Sequence, residues 1–461
     1  MLNRWGVAAL PPLGRRGWGM WGAIVLLAAI LRLVGLGLPA EEYFDECYYV
    51  PGAYSYLEGT KDENSVHPPL AKIQIALGIA VGKGLQKWGW PLSEEVGWRL
   101  TSALSGIGCV ALTYFLAYRL GRGSRDLAAL SAFLVAIDFM GLAMSRICTL
   151  DMVLAWWMLV GVAATWNALE AGIWSSKKAY AWVLVGALAW GIATACKWTG
   201  LLGAFMAWVA ILFFPSRLTP SALEAQPSPS LELAHQLAKE GGGWWFKGWK
   251  RGASVALIMA LMVGAVYLLS YIPQFNREGY RWWTVRNIAH AHRVMIDFRY
   301  DPQQFTHHYC SQFWAWPTVI RPVWLKFEAD RQVVMSIVCF GSIVVWWPGL
   351  IYTLEFAWSG WCQKRWVWAF LAWTWLGQWL LWAGSTTGGF IYYVLPGIPL
   401  MAIILAWVVW DWQEEGQRWL VGGYLGLITL AFIAYYPFLS FMPASRELFA
   451  WLFPPSLTLW R

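Results

Sequence analysis

The fold begins with an apolar run that leads directly into an acidic segment, residues 18–46, WGMWGAIVLLAAILRLVGLGLPAEEYFDE. A helix needs about 20 mostly apolar residues to cross the hydrocarbon core of a bilayer, and the part over 18–38 is long enough. Arg4, Arg15 and Arg16 precede it, as in a signal peptide, but no small-residue cleavage site is clear and further apolar runs follow. We therefore expect a first transmembrane helix that is retained.

The composition is that of a membrane protein. Of the 461 residues, 59% are hydrophobic and 13% are charged, whereas a soluble protein carries roughly 25% charged residues. The 38 Trp residues suit a membrane interface, where the apolar ring and the polar N–H both find partners. The net charge of +8 fits attraction to anionic lipid head groups. Nucleic-acid binding is excluded as a function class because no soluble basic domain is present.

Further apolar runs continue to the end of the chain. They cover 100–118, 126–144, 150–170, 179–196, 199–214, 253–272, 333–356, 366–383, 391–410 and 419–438. We predict an all-α polytopic membrane protein with about eleven transmembrane helices. The run over 68–86 is shorter and basic, with Lys72, Lys83 and the following Lys87, so we predict that it forms an interfacial helix.

The basic residues in short loops predict the orientation in the plasma membrane, because Lys and Arg mark cytoplasmic loops. If the spans alternate, the basic short loops fall on the side of the N-terminus. These loops hold Arg119, Arg122, Arg125, Lys177, Lys178, Lys364 and Arg365. The N-terminus is therefore predicted to be cytoplasmic.

The same alternation predicts one membrane domain over 1–461. Its first outer loop is 39–98, with the acidic motif, and its large outer loop is 273–331. The segment 215–252 is predicted to be a cytoplasmic loop, and 332–461 forms a C-terminal part with four spans.

Asp45 and Glu46 are the first candidates for chemistry. Adjacent residues of a helix point about 100° apart, so both carboxylates cannot reach one atom. If one is a catalytic base, the other holds the site through an ion pair. The residues alone also fit a solvated acidic loop.

Ionisable residues at the ends of other spans are predicted to meet Asp45 at the outer face. They are Arg99, Arg146, Asp151 and Lys197. Taken singly, each also fits an interfacial side chain with its head among the lipid head groups. Together they form a carboxylate among cations, the arrangement needed to accept a proton while neutralising a phosphate.

His67-Pro68-Pro69 starts a helix. A phosphate at that helix terminus is one interpretation, although the two prolines remove N–H donors, and a purely structural turn is the other. The seven cysteines show no zinc spacing. Cys47 and Cys310 are the two that we expect on one side of the membrane, and pairing between them stays open.

Several motifs occur in order along nearly the whole chain. They are Phe44-Asp45-Glu46, His67-Pro68-Pro69-Leu70-Ala71-Lys72, Trp98-Arg99, Ser145-Arg146 through Asp151, Cys196-Lys197-Trp198-Thr199-Gly200, the segment from His307 through Trp316-Pro317 to Arg321-Pro322, and Phe390-Ile391-Tyr392-Tyr393-Val394-Leu395-Pro396. Together these motifs resemble the protein O-mannosyltransferase family of GT-C membrane enzymes, and the segment from His307 to Pro322 looks like its bacterial branch.

The resemblance implies a polyprenyl-phosphate-mannose donor, an acceptor polypeptide with Ser or Thr hydroxyls, and inversion at the sugar. It implies Asp45 as the base and Glu46 as the partner of Arg99, with Arg146 and Lys197 holding the lipid phosphate. Substrate contacts are further expected from His67, Lys72, Arg99, Asp151, Trp316, Arg321, Tyr392 and Tyr393. The bacterial pattern usually has an Arg shortly before the late Phe-Tyr motif, where this chain has Gly388-Gly389.

Membrane lipids and the protein-export machinery are the other expected partners, and no cofactor is expected. Acidic pairs can bind divalent ions, so metal use is a weaker alternative, and the adjacent His307 and His308 have poor geometry for joint ligation. The sister aminoarabinose transferases share the fold, so another sugar and a lipid or glycan acceptor form an alternative. A secondary transporter is the remote alternative, but it would normally show repeated halves.

Overall fold

The computed structural model describes residues 10–171, 177–213, 245–277, 284–301, 307–385 and 388–454. The first half contains the helices α1 (Gly14–Leu33), α2 (Glu46–Glu58), α3 (Leu70–Lys87), α4 (Glu94–Leu120), α5 (Arg125–Ala136), α6 (Phe139–Ser145), α7 (Leu150–Glu170), α8 (Lys177–Cys196) and α9 (Gly200–Phe213). The second half contains α10 (Trp245–Leu269), α11 (Ile272–Arg277), α12 (Val285–Tyr300), α13 (Ile343–Cys362), α14 (Trp366–Leu380), α15 (Ile398–Glu414), α16 (Arg418–Ser440) and α17 (Arg446–Leu452). Most of the predicted cytoplasmic loop 215–252 lies outside the described residues.

Within the described ranges, seven helices are long and apolar enough to cross a membrane, or eight if the pair α5–α6, bent by 58°, is one span. Helices also occupy the other predicted runs, but α9 and α14 have only 14 and 15 residues. The multi-span helical architecture is confirmed, and the count of eleven stays a prediction. The basic segment after Pro69 is a helix, α3, and is not among these spans.

A small antiparallel sheet adds to the helices. Strand β1 (Val323–Ala329) pairs with β2 (Val333–Cys339), which pairs with β3 (Ala444–Ser445). The prediction of one continuous helix over 333–356 was therefore wrong. Its first seven residues, VVMSIVC, are rich in β-branched side chains, which favour a strand. Asp330 closes the hairpin by accepting hydrogen bonds from the N–H groups of Gln332 and Val333, both at 2.7 Å.

The helices α7 and α15 form the centre of the molecule. Both are mostly buried by the other helices, whereas α1, α10 and α16 leave most of their surface exposed. Helix α7 packs against α4, α8, α9 and a 3-10 turn over Ile391–Gly397. The ends of these central elements carry the polar residues described next, so the site rests on the most rigidly packed part of the fold.

Candidate functional site

The acidic motif lies at the start of α2. Phe44 has a left-handed backbone with φ of 52°, which is uncommon for a bulky residue and tends to mark functional positions. Asp45 occupies the N-cap position, without a capping hydrogen bond from its side chain, and Glu46 is the first residue of the helix. The two side chains diverge, as expected for neighbours on a helix. Glu46 is fully buried, while Asp45 is partly exposed.

Glu46 forms a bidentate ion pair with Arg99 of α4. The carboxylate accepts from Nε and Nη2 of Arg99, both at 2.9 Å, and from the backbone N–H of Cys148 at 2.8 Å. Arg99 also donates to the carbonyl oxygens of Leu36, Pro39 and Glu41. The pair thus fixes the end of the first span, the start of α2 and the loop before α7 relative to one another.

The prediction that Glu46 pairs with Arg99 therefore agrees with the geometry. The expectation that Arg99 also contacts the substrate does not agree with the geometry. Its side chain is fully buried, and its N–H groups are taken up by the contacts above. The Arg99 guanidinium therefore stabilises the residues that form the site.

Asp45 has an unusual environment for a carboxylate. Within the described part of the chain, no hydrogen bond to its side chain is present. Burial and then the neighbouring Asp151 carboxylate raise the pKa of Asp45 to about 7, while Lys197 acts in the opposite direction. Asp45 can therefore both lose and accept a proton near neutral pH, as a general base must.

Lys197 and Asp151 meet beside Asp45. Lys197 lies between α8 and α9, Asp151 lies in the first turn of α7, and their Nζ–Oδ1 distance is 2.8 Å. Both are nearly buried. The second oxygen of Asp151, Oδ2, is buried without a hydrogen-bond partner. The pair is neutral as a unit and presents both a cation and an acceptor atom to the site.

Aromatic rings form the other wall of the site. Nζ of Lys197 lies 4.4 Å from the ring centroid of Tyr393 and 5.9 Å from that of Tyr392. Tyr393 stacks on Trp382 at 4.7 Å, and Trp316 meets both rings edge-on. The predicted residues Trp316, Tyr392 and Tyr393 are thus brought together around Lys197.

A backbone bridge closes this wall. Ser311 and Gly389 exchange two hydrogen bonds, of 2.8 and 2.9 Å. The bridge joins the segment with Trp316 to the segment with Tyr392 and Tyr393. Phe44 lies edge-on to Tyr392 at 6.3 Å, which connects the wall to the acidic motif.

Lys72 has a structural position. Its ammonium is buried and contacts the carboxylate of Asp62 and the carbonyl oxygen of Asn64. It therefore ties the loop between α2 and α3 to α3, and the expectation of a substrate contact is not supported. His67, in the same loop, lies against the ring of Tyr49 at 6.1 Å. Burial, with the charges of Lys197, Lys72 and Arg299, lowers the pKa of His67 well below its usual value, so it is neutral.

Arg146 binds mainly backbone carbonyl oxygens. Its guanidinium donates to the carbonyl oxygens at the end of α1, namely Leu31, Arg32, Val34 and Gly35, and to Ser440. These are helix-end carbonyls that lack intrahelical partners. Both Nη atoms of Arg146 thus bind backbone oxygens at the end of α1, while its buried Nε has no hydrogen-bond partner among the described residues. Its role in holding the lipid phosphate stays a prediction.

The remaining expectations concern the edge of the site. Arg321 is exposed and donates to the carbonyl oxygen of Cys310 at 3.3 Å, so no contact places it beside Asp45. Cys47 is a free thiol, so it forms no disulfide with Cys310. No group of three or more His, Cys, Asp or Glu side chains suited to a metal occurs among the residues described; the expectation of no cofactor stays untested.

Two residues of the site were missed by sequence reasoning. Trp382 completes the aromatic stack, and Arg299 of α12 lies over it. Neither stands in a motif. Trp382 follows several other tryptophans, and Arg299 is one of several arginines in the segment 273–331, so residue identity alone gave no signal. The amphipathic pattern of α12 was the one feature that could have indicated an inward-facing Arg299.

The chain is similar to known proteins along most of its length. A family model described as dolichyl-phosphate-mannose-protein mannosyltransferase matches residues 22–275, more than half of the chain. The polyprenol-phosphate-mannose–protein mannosyltransferase of Mycobacterium tuberculosis is 24% identical, covering 99% of this chain and 94% of the relative. The protein of the same name from Mycolicibacterium smegmatis is 24% identical, with coverage of 98% and 94%.

A solved structure shares the fold. The S. cerevisiae protein O-mannosyltransferase Pmt1-Pmt2 complex, bound to its sugar donor, matches with a TM-score of 0.74 at 13% identity. The match covers 98% of this chain and 94% of that chain. At this identity the likeness shows the fold alone, and it confirms the predicted GT-C-type helical fold.

Proposed function

Since the chain belongs to the dolichyl-phosphate-mannose-protein mannosyltransferase family, we propose that it transfers mannose from polyprenyl-phosphate-mannose to Ser or Thr hydroxyls of exported proteins. The chain is a membrane glycosyltransferase. The family model and the names of the mycobacterial relatives support the donor and the protein acceptor. The basic short loops support a reaction at the outer face of the plasma membrane.

The observation that carries the catalytic assignment is the state of Asp45. It is a partly exposed carboxylate with a pKa of about 7, next to a buried Lys–Asp pair and a wall of aromatic rings. General bases are most effective when their pKa is close to the working pH. The ordinary pKa of an aspartate, about 3.9, would make it a much weaker base.

The proposed reaction is a single displacement. The acceptor hydroxyl oxygen attacks the anomeric carbon of mannose from the side opposite the phosphate, and Asp45 accepts the hydroxyl proton. The bond between the anomeric carbon and the phosphate oxygen breaks, and its electron pair stays on that oxygen. The sugar is inverted, and the phosphate charge rises from about −1 to about −2. Cations near the phosphate therefore assist departure more than a general acid does.

The other residues take supporting roles in this proposal. The Glu46–Arg99 pair orients the start of α2 and thereby Asp45. Lys197 meets the developing phosphate charge, while Asp151 keeps Lys197 in place. The rings of Trp316, Tyr392 and Tyr393 exclude water from the sugar and give it an apolar surface.

The decisive experiment is mannose transfer by the purified protein in detergent. Polyprenyl-phosphate-mannose and a Ser/Thr peptide are the substrates, and mass spectrometry detects the mannosylated peptide. Transfer without membrane compartments also separates an enzyme from a transporter. No transfer with a functional donor would contradict the proposal. A comparison of exported proteins from cells with and without the gene would then identify the natural acceptors.

Asp45→Asn is the matched test of the base. It should lower turnover about 10²–10⁴-fold, the usual cost of losing a general base, and leave donor binding nearly unchanged. Glu42→Gln is the control, because Glu42 is an exposed carboxylate on the same segment. A turnover of Asp45→Asn above about half of wild type would remove Asp45 from the mechanism, given that expected scale.

A further inference from the structure

Helix α12, in the large outer loop, is held firmly against the site by one face. Ala291 and Met295 are buried with Tyr271 and Phe275. Nδ1 of His292 donates to the carbonyl oxygen of Ile288 at 2.7 Å. The face packed in this way recurs every three to four residues, as in any amphipathic helix.

A hydrogen-bonded chain extends this contact to the centre of the site. Nε2 of His292 lies 2.9 Å from the hydroxyl of Tyr267, which accepts from Nε1 of Trp198 at 2.8 Å. Trp198 follows Lys197 directly in the sequence. The position of α12 is therefore fixed relative to the Lys197–Asp151 pair.

Arg299 lies on the same face of α12, seven residues after His292. Its Nη2 donates to Oγ of Ser385 at 2.7 Å, and its Cζ lies 5.6 Å from the ring centroid of Trp382. Trp382 stacks on Tyr393, and Tyr393 contacts the ammonium of Lys197. One pair of stacked rings thus connects two cations, one from α12 and one from the end of α8.

The balance of charges around the site favours a second cation near the donor phosphate. The pairs Glu46–Arg99, Asp62–Lys72 and Asp151–Lys197 are each neutral. The Asp45 carboxylate is negative before transfer and becomes neutral when it accepts the proton, while the donor phosphate becomes more negative during transfer. Because the site is largely buried, this charge is poorly screened by water. A guanidinium also matches the geometry of phosphate oxygens better than an ammonium does.

We propose that Arg299 binds the phosphate of the lipid-linked donor and product, as a second cation beside Lys197. This inference rests on the proposed function for the choice of ligand. It assigns to the large outer loop a direct part in donor recognition, with Ser385 and Trp382 holding the guanidinium in place.

Binding of undecaprenyl phosphate and of undecaprenol to the purified full-length protein tests the inference. Arg299→Ala should weaken binding of undecaprenyl phosphate about 10-fold to 100-fold, the range for a hydrogen-bonded charged contact, and leave undecaprenol binding unchanged. Arg293→Ala is the control, since Arg293 is an exposed arginine of the same helix. It should bind both lipids as wild type does.

If Arg299 has a solely structural role, Arg299→Ala should bind both lipids more weakly and to the same extent, which would overturn the inference. Unchanged binding of undecaprenyl phosphate would overturn it as well. Arg299→Gln keeps a donor for Ser385 without the charge, and it replaces Arg299→Ala if that variant does not fold. A wild-type protein that fails to transfer mannose, while the Arg299 variants selectively lose undecaprenyl phosphate, would contradict the proposed function alone. Mannose transfer with unselective Arg299 variants would contradict only the inference.

Discussion

At the scale of single residues, the site depends on two adjacent carboxylates in opposite states. Glu46 is buried and satisfied by Arg99 and two backbone N–H groups. Asp45 is left without such partners, and its pKa rises to about 7. Hydrogen bonds to a carboxylate stabilise its charged form, whereas burial without them favours the proton. The same carboxylate group can therefore serve as an anchor or as a base, depending on its surroundings.

The pH dependence of kcat/KM should follow the titration of Asp45. The active form is the carboxylate, so activity should fall as the pH drops below about 7 and level off above about 8, as for a base with this pKa. Asp151→Asn removes a charge that raises the pKa of Asp45, so its acid limb should move to lower pH. The control Glu42→Gln should keep the wild-type profile. A profile that stays flat between about pH 5 and pH 8 would exclude Asp45 as the titrating base.

The Glu46–Arg99 pair should show strong coupling. Removing one partner leaves a buried unpaired charge, at a cost of about 3–5 kcal/mol. Glu46→Gln and Arg99→Ala should therefore behave alike, and the double variant should be no worse than either, in both turnover and thermal unfolding.

The exposed pair Arg16–Asp126, at 3.2 Å, is the control for this double-mutant cycle. Exposed pairs contribute about 0–1 kcal/mol, so its cycle should show little coupling. Strictly additive losses for Glu46 and Arg99 would show that the buried pair does not act as a unit.

At the scale of elements, glycines determine how the aromatic wall closes. A Cβ at Gly389 would lie 2.7 Å from Cε2 of Tyr393 and 2.9 Å from Cζ2 of Trp316. Gly388 has φ of 71°, a conformation that suits glycine. The site where the family pattern has an arginine thus has no room for a side chain in this fold, and the segment instead bonds to Ser311.

Gly389→Ala should lower mannose transfer by pushing Tyr393 and Trp316 apart. Overpacking of this kind typically costs about 1–3 kcal/mol, and here it acts on the wall beside Lys197. Gly384→Ala is the control, because a Cβ there would meet no atom within 4 Å. Transfer rates by the two variants, measured with the same peptide, decide the matter: equal rates would mean that the wall plays no part in the reaction.

At the scale of the whole molecule, the buried helices α7 and α15 support a site formed by distant segments. Glu46 and Arg99 are 53 residues apart, and Arg146 reaches a carbonyl 294 residues away. Every one of these contacts depends on the helices having a single arrangement in the membrane. Their orientation is therefore a property of the entire fold.

A map of accessible cysteines or glycosylation tags should place 39–98 and 273–331 outside and 215–252 in the cytoplasm. Basic residues in short loops set this orientation because they cross the membrane reluctantly. The large outer loop carries arginines but is too long to count in that rule. Labelling of a tag in 215–252 from outside intact cells would mean that the number of spans is off by one.

The sequence by itself determined the membrane class and the positions of most helices. It also indicated the candidate site residues Asp45, Glu46, Arg99, Asp151 and Lys197. Length and hydrophobicity of each run decide whether a helix can cross lipid, because every backbone polar group must be satisfied within the helix. Charged residues at such depths are costly, so their presence alone indicated a site. These signals are local, and a sequence displays them directly.

Only the tertiary structure decided what each charge does. Arg99, Arg146 and Lys72 have the same residue-level signal as Lys197, yet each binds carboxylate or carbonyl oxygens of other segments of the chain. Arg299 belongs to no motif, and it reaches the aromatic wall through the packing of α12. The partner of a charge lies tens to hundreds of residues away, and a buried charge must find one because leaving it unpaired is so costly. That choice is made by packing, which no local pattern encodes.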